Sequence, residues 1–148
     1  MTDYGELYRN LSAVTENVSY TVSNLANAAA LLWHVLDRIN WAGFYIAEGD
    51  TLLLGPFQGK IACTRIAFGR GVCGTAAAKN ETQLVPDVHL FPGHIACDSA
   101  SNSEIVIPLC KSGKVWGVLD IDSPESNRFS EDDRRGLEEF AKILEKVL

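Results

Sequence analysis

The spacing of apolar residues in this chain changes at Trp41, and that change limits the folds available to it. Before Trp41, Leu7, Leu11 and Val14 recur at helical spacing, as do Leu25, Ala28, Ala29 and Leu32. The region from about Tyr4 to Asp37 therefore reads as one broken helical stretch, with its break in the polar, β-branched segment Thr15 to Tyr20. After Trp41 come short β-like runs separated by turn residues: Trp41 to Ile46, Leu52 to Phe57, Ile61 to Ala67, Gln83 to Val85, Glu104 to Cys110 and Trp116 to Ile121. Gly71 to Lys79 suits a short helix among them. Ser130 opens a last helix, with Glu131, Asp132 and Asp133 where acids complement the helix dipole and Lys142 and Lys146 near its end. Helices, then hairpin-connected strands, then a helix predict an α+β fold. Its central sheet is mostly antiparallel, with the N- and C-terminal helices packed on one face. No linker, repeat or shift in composition divides the chain, so the expectation is one domain: helices over 1–38, sheet and loops over 40–129, and a closing helix over 130–148.

A chain of 148 residues buries about 70% of the surface its unfolded form exposes and needs neither disulfides nor a metal to fold. Its cysteines are thus free for chemistry. The opening MTDYGELYRN carries acids and lacks the basic and apolar regions of a secretory leader, which predicts a cytoplasmic protein. No apolar run approaches a membrane span. A net charge of −6, with no basic run, disfavours a nucleic-acid partner.

The chemistry-bearing residues are concentrated in one part of the chain. Cys63, Cys73 and Cys97 follow a C-x9-C-x23-C spacing among glycine-rich turns. Alternation along the strands places Trp41, Gly43 and Tyr45 on one face and Ala42, Phe44 and Ile46 on the other. It likewise sets Asp120 and Asp122 with Val118, and Glu104 with Val106, each opposite apolar neighbours. Acids in such positions either face solvent or are held in a site. Taken singly, each reads as ordinary exposed charge; their concurrence with the thiols favours a site. Cys110, closing an apolar run, reads as a small buried hydrophobe, and Cys73 is ambiguous. Cys97 lies in a segment with the character of an exposed loop, where a thiol can meet a substrate. No C-x2-C or C-x4-C pair is present, and His89, His94 and Cys97 form no standard ligand set, so no metal is expected. The histidines read as hydrogen-bonded surface residues.

Four segments, NWAGFYI, LLLGPFQGKIACTRIAFGRGVCGTAA, QLVPDVHLFPGHIACDSASNSEIVIPL and GVLDIDSP, together and in this order, resemble the free methionine-(R)-sulfoxide reductases of the GAF-domain superfamily. The resemblance runs from about Asn40 to Phe129, and the flanking helices suit the same GAF-like domain. It implies reduction of free methionine-R-sulfoxide without a cofactor. Cys97 matches the family's nucleophile, and Cys63 matches the resolving cysteine that closes a Cys63–Cys97 disulfide for thioredoxin to reduce. Cys73 matches a third family cysteine, with alternative pairing and a backup role both open. By the same resemblance Glu104, Asp120 and Asp122 surround the substrate, reading its ammonium group and standing near the sulfoxide oxygen, while Trp41 and Tyr45 wall the terminal methyl group. A homodimer is compatible with the resemblance. The rival reading is a non-enzymatic GAF module that binds a small ligand or senses redox state through its cysteines, because a fold does not fix a function.

Overall fold

The computed structural model describes residues 1–94 and 100–148. The helical stretch resolves into α1 (Tyr4–Thr15) and α2 (Thr21–Val35). They are separated where sequence placed the break, with Asn17 in the left-handed region at φ 59°. Asp3 caps α1 by accepting from the Glu6 amide.

The sheet contains β1 (Trp41–Glu48), β2 (Thr51–Gly59), β3 (Arg65–Ala67), β4 (Gln83–Val85), β5 (Ser103–Lys111) and β6 (Lys114–Ser123), in the spatial order β3-β2-β1-β6-β5-β4. Every pairing is antiparallel. Two helices complete the chain, α3 (Gly71–Lys79) between β3 and β4, and α4 (Glu131–Glu145) at the end. The β5–β6 turn has Ser112 at φ 54° and Gly113 at φ 78°, the two positive angles that a tight hairpin requires.

The predicted strand from Ile61 shrinks to three residues. Thr64 keeps one backbone bond to β2, its carbonyl accepting from the Leu54 amide, while residues 60–63 leave the ladder and cross the sheet face. They are held there by Trp41 Nε1 donating to the Lys60 carbonyl at 3.1 Å and Tyr45 Oη donating to the Cys63 carbonyl at 2.9 Å. Side-chain donors on β1 thus replace the strand partners these residues would otherwise need.

Alternation divides the apolar residues between two faces of the sheet. Ala42, Phe44, Ile105, Ile107, Leu119 and Ile121 form one core with Leu7 and Leu11 of α1, Leu25, Ala28, Ala29 and Leu32 of α2, and Leu137, Phe140 and Leu144 of α4. Alanines on α2 let that helix sit close to the sheet. Gly136 lets α4 approach α1 closely, since a β-carbon there would lie 2.6 Å from the Tyr4 ring. The opposite face carries Trp41, Tyr45, Val106 and Val118, packed against Val72, Cys73, Ala76 and Ala77 of α3. The terminal helices therefore share a face, as expected, and α3 with residues 60–64 covers the other. Cys110 departs from its reading as a buried hydrophobe: it is half-buried, and its Sγ lies 3.2 Å from Asn80 Oδ1.

Asp133 ties the termini together. It forms a capping box with Ser130 at the start of α4, accepts from Tyr4 Oη at 2.6 Å and pairs with the buried Arg128 guanidinium at 3.1 Å. Burial alone would raise its pKa. The Ser130 backbone, the Tyr4 hydroxyl and the Arg128 charge outweigh that effect and hold it below the ordinary 3.8. Asp133→Ala removes the carboxylate half of the capping box and strips Arg128 of a buried partner, an expected loss of about 3 kcal/mol in denaturant unfolding. A depressed carboxyl stabilises the fold fully above the ordinary aspartate range and loses that effect as pH falls through its lower folded value. The difference between wild type and variant should therefore close in acid; a gap that stays constant would refute the assignment.

Candidate active site

Strand register builds the site. Trp41 stands opposite Asp122 across β1 and β6, and Asp122 stands opposite Glu104 across β6 and β5. One row along, Gly43, Asp120 and Val106 are aligned in the same way, and the next pairs Tyr45 with Val118. Side chains directly opposite one another in an antiparallel sheet are about 5 Å apart at their β-carbons, so two rows suffice to bring three carboxylates together. Gly43 leaves its own place in the row to Phe57, which a β-carbon there would strike. Phe57 stacks on Trp41 at 5.1 Å between ring centroids, and Trp41 stacks on Tyr45 at 5.9 Å.

The lid over these rows comes from α3 and residues 60–64. Gly74 must lack a side chain because a β-carbon would lie 2.5 Å from the Ala67 carbonyl. That close approach seats the first turn of α3 on the sheet and points Cys73 at the acids, its Sγ 4.0 Å from Glu104 Oε2. The resulting cavity, about 50 Å³, is lined by Trp41, Tyr45, Cys73, Glu104, Asp120 and Asp122, and also by Arg70, His94 and Ser101. A space of that size excludes a folded polypeptide.

Most of the residues singled out from sequence therefore meet in one place. Cys63 follows Ile61 and Ala62, two further lining residues, and is disulfide-bonded. Cys73 and Cys110 are free thiols. Cys97 lies outside the described residues. Sequence reading passed over Arg70, His94 and Ser101. Arg70 immediately precedes α3 and is the one Lys or Arg among the described residues that line the cavity. His94, which reads from sequence as a surface histidine, lines the cavity, and its place in the GHIAC motif is the signal of that. Ser101 is fixed by the Asn40 side-chain amide, which donates to its Oγ at 3.2 Å.

Burial governs the charge of the site. Glu104 is 7% exposed and Asp120 is 5% exposed. Desolvation raises both carboxyls, and the neighbouring acids push Glu104 well above its ordinary value. Asp120 rises less, because hydrogen bonding with Glu104, Cys73 and Asp122 favours its ionised form. Its Oδ1 nevertheless finds no hydrogen-bond partner among the described residues. Burial, followed by Asp120 and Glu104, likewise pushes the Cys73 thiol well up, so it stays protonated. His94 moves down through burial and the nearby His89, only partly offset by Asp120. The cavity is thus an acid-rich pocket whose buried carboxyls and thiol are all biased toward their protonated forms.

The architecture, a six-stranded antiparallel sheet with terminal helices on one face and a small acid-lined cavity on the other, defines the GAF class. The GAF domain family matches residues 10–148. The free methionine-R-sulfoxide reductase of Escherichia coli K12 is 56% identical over 145 residues, which cover 98% of this chain and 88% of that one. The fRMsr of Staphylococcus aureus in complex with substrate superposes with a TM-score of 0.95 at 49% identity, covering 100% of this chain and 97% of that one. The free methionine-R-sulfoxide reductase of Neisseria meningitidis in complex with its substrate gives 0.94 at 49% identity, with 97% and 87% covered. The chain belongs to the GAF-domain family and, within it, to the free methionine-R-sulfoxide reductases.

The raised Glu104 carboxyl has a consequence for folding. A carboxyl whose folded pKa is raised weakens the fold progressively as pH climbs from the ordinary glutamate range, about 4.3, toward the folded value. Glu104→Gln lacks that slope. Its urea midpoint should gain on wild type between about pH 4 and neutrality, whereas a constant offset would mean that Glu104 titrates like a surface acid.

Proposed function

We propose that this chain reduces free L-methionine-(R)-sulfoxide to methionine by thiol chemistry. The observation that carries the reading is the aligned trio of Glu104, Asp122 and Asp120, the first and last of them buried, beneath the disulfide-bearing 60–64 segment, in a chain closely similar to proteins of that activity. The substrate is a zwitterion with a polar sulfoxide and a small apolar end. Its ammonium group goes to the acids, a charge-assisted bond that a peptide-bound residue cannot offer. Its carboxylate goes to Arg70 and the adjacent N-terminal amides of α3. Trp41 and Tyr45 form the wall against the methyl group, which sets the R preference.

In the reaction, the Cys97 thiolate attacks the sulfoxide sulfur while a protonated carboxyl of the Glu104–Asp120–Asp122 group gives its proton to the oxygen. Methionine departs and Cys97 is left as a sulfenic acid. Attack by the Cys63 thiol then expels water and closes a Cys63–Cys97 disulfide. A bonded Cys63 beside free Cys73 and Cys110 supports this pairing, the chain having four cysteines. A thioredoxin dithiol in the cytosol restores the enzyme, and no bound cofactor takes part. The reading extends to a homodimer, for which the exposed Tyr20 and Val22 offer apolar surface.

The test is NADPH oxidation coupled through thioredoxin and thioredoxin reductase, with free R-sulfoxide, free S-sulfoxide and a peptide-bound R-sulfoxide offered in parallel. Turnover of the free R form alone is expected, falling to background in Cys97→Ser. A folded, reduced protein that turns over none of them would instead be a ligand-binding GAF module. In the same assay Arg70→Ala should raise KM several-fold, roughly 1 kcal/mol of binding, with kcat nearly unchanged; an unaltered KM would remove Arg70 from the substrate site.

A further inference from the structure

We propose that the cavity is also a metal site, in which Cys73 Sγ, a Glu104 carboxylate oxygen and a carboxylate oxygen of Asp120 hold a borderline divalent cation such as Zn²⁺ when no substrate is bound. These three atoms lie within 4.8 Å of one another. Tetrahedral zinc bonds of about 2.3 Å to sulfur and 2.0 Å to oxygen place such ligand atoms about 3.5 Å apart. The observed 4.0 Å between Cys73 Sγ and Glu104 Oε2 therefore needs only a small contraction.

An independent observation points to a missing cationic partner. Asp120 is 95% buried, and its Oδ1 has no hydrogen-bond partner among the described residues. A buried carboxylate oxygen left in that state is costly unless a cation or proton meets it. The donor set of one thiolate and two carboxylates suits zinc or cadmium better than the harder magnesium or calcium, which favour all-oxygen shells. Three protein ligands leave a fourth position open to water, the arrangement of an exchangeable site. On binding, the Cys73 S–H and Glu104 O–H bonds are replaced by bonds to the metal, and both protons leave to buffer. The ligands come from α3, β5 and β6, so no linear motif announces them. The ion occupies the space that accepts the substrate ammonium; metal and substrate exclude one another, and Cys73 is shielded while the metal stays.

Oxidised protein carrying Cys110→Ser, titrated with Cd²⁺, tests this without turnover, so failure of the reductase reading would leave the result intact. One equivalent should bind with a thiolate-to-cadmium ultraviolet absorption, and Zn²⁺ should displace it. Cys73→Ser should abolish the absorption, and Asp120→Asn should weaken binding by at least about tenfold, the loss that even a supporting residue produces. In the unsubstituted protein Zn²⁺ should slow maleimide labelling of Cys73, and free methionine-R-sulfoxide should lower the apparent Zn²⁺ affinity. Absence of the absorption, its persistence in Cys73→Ser, or unchanged labelling with Zn²⁺ present would overturn the proposal.

Discussion

The antiparallel register of β1, β6 and β5 is the constraint on which the site depends. It sets Trp41 against Asp122 and Asp122 against Glu104, with Gly43, Asp120 and Val106 one row along. The strand period is two, so a slip of one residue would exchange the faces. Asp120, Asp122 and Glu104 would then enter the core among the leucines of α2 and α4, while Leu119, Ile121 and Ile105 would face the cavity. The core that anchors the terminal helices and the row of acids are two sides of one pairing. The apolar face enforces the register, and the register delivers the carboxylates.

Covering that row changes its chemistry. Acids on an open sheet face would be solvated and ionised. Here α3, brought down by Gly74 against the Ala67 carbonyl, and the 60–64 segment, held by Trp41 and Tyr45, remove water from above them. Trp41 and Tyr45 consequently serve two ends: they line the cavity with apolar surface, and their polar atoms position the segment that carries Cys63. Changing either aromatic would disturb both. The cost of desolvating several negative groups together is reduced by retaining protons, and proton retention is what a sulfoxide oxygen requires of a donor. The same deficit of positive charge suits an ammonium group or a metal ion.

Much of the architecture was legible in local pattern. The breaks around Thr15 to Tyr20, the alternation of Trp41 to Ile46 and the acidic first turn of the final helix each reflect short-range physics that a sequence displays. Residues 61–63 were misread because their apolar character satisfies a strand pattern, while the donors that draw them off the ladder lie some twenty residues away on β1. Arg70 and Ser101 escaped notice for a related reason: nothing in their neighbours shows that the loop before α3 and the loop before β5 converge on one cavity. Cys110, at the end of an apolar run, sits where the strand emerges beside Asn80 and is only half covered.

Sequence by itself determined the α+β order of elements, which residues share a strand face, and, through four ordered segments, the resemblance to the free methionine-R-sulfoxide reductases. Tertiary structure decided how deeply Glu104 and Asp120 are buried, that Cys73 comes to 4.0 Å from Glu104, and that Asp120 keeps an unpartnered oxygen. The division has a physical cause. Periodicity is a property of neighbours along the chain, whereas desolvation and charge coupling depend on what distant segments place above a side chain, and those set which acids keep their protons.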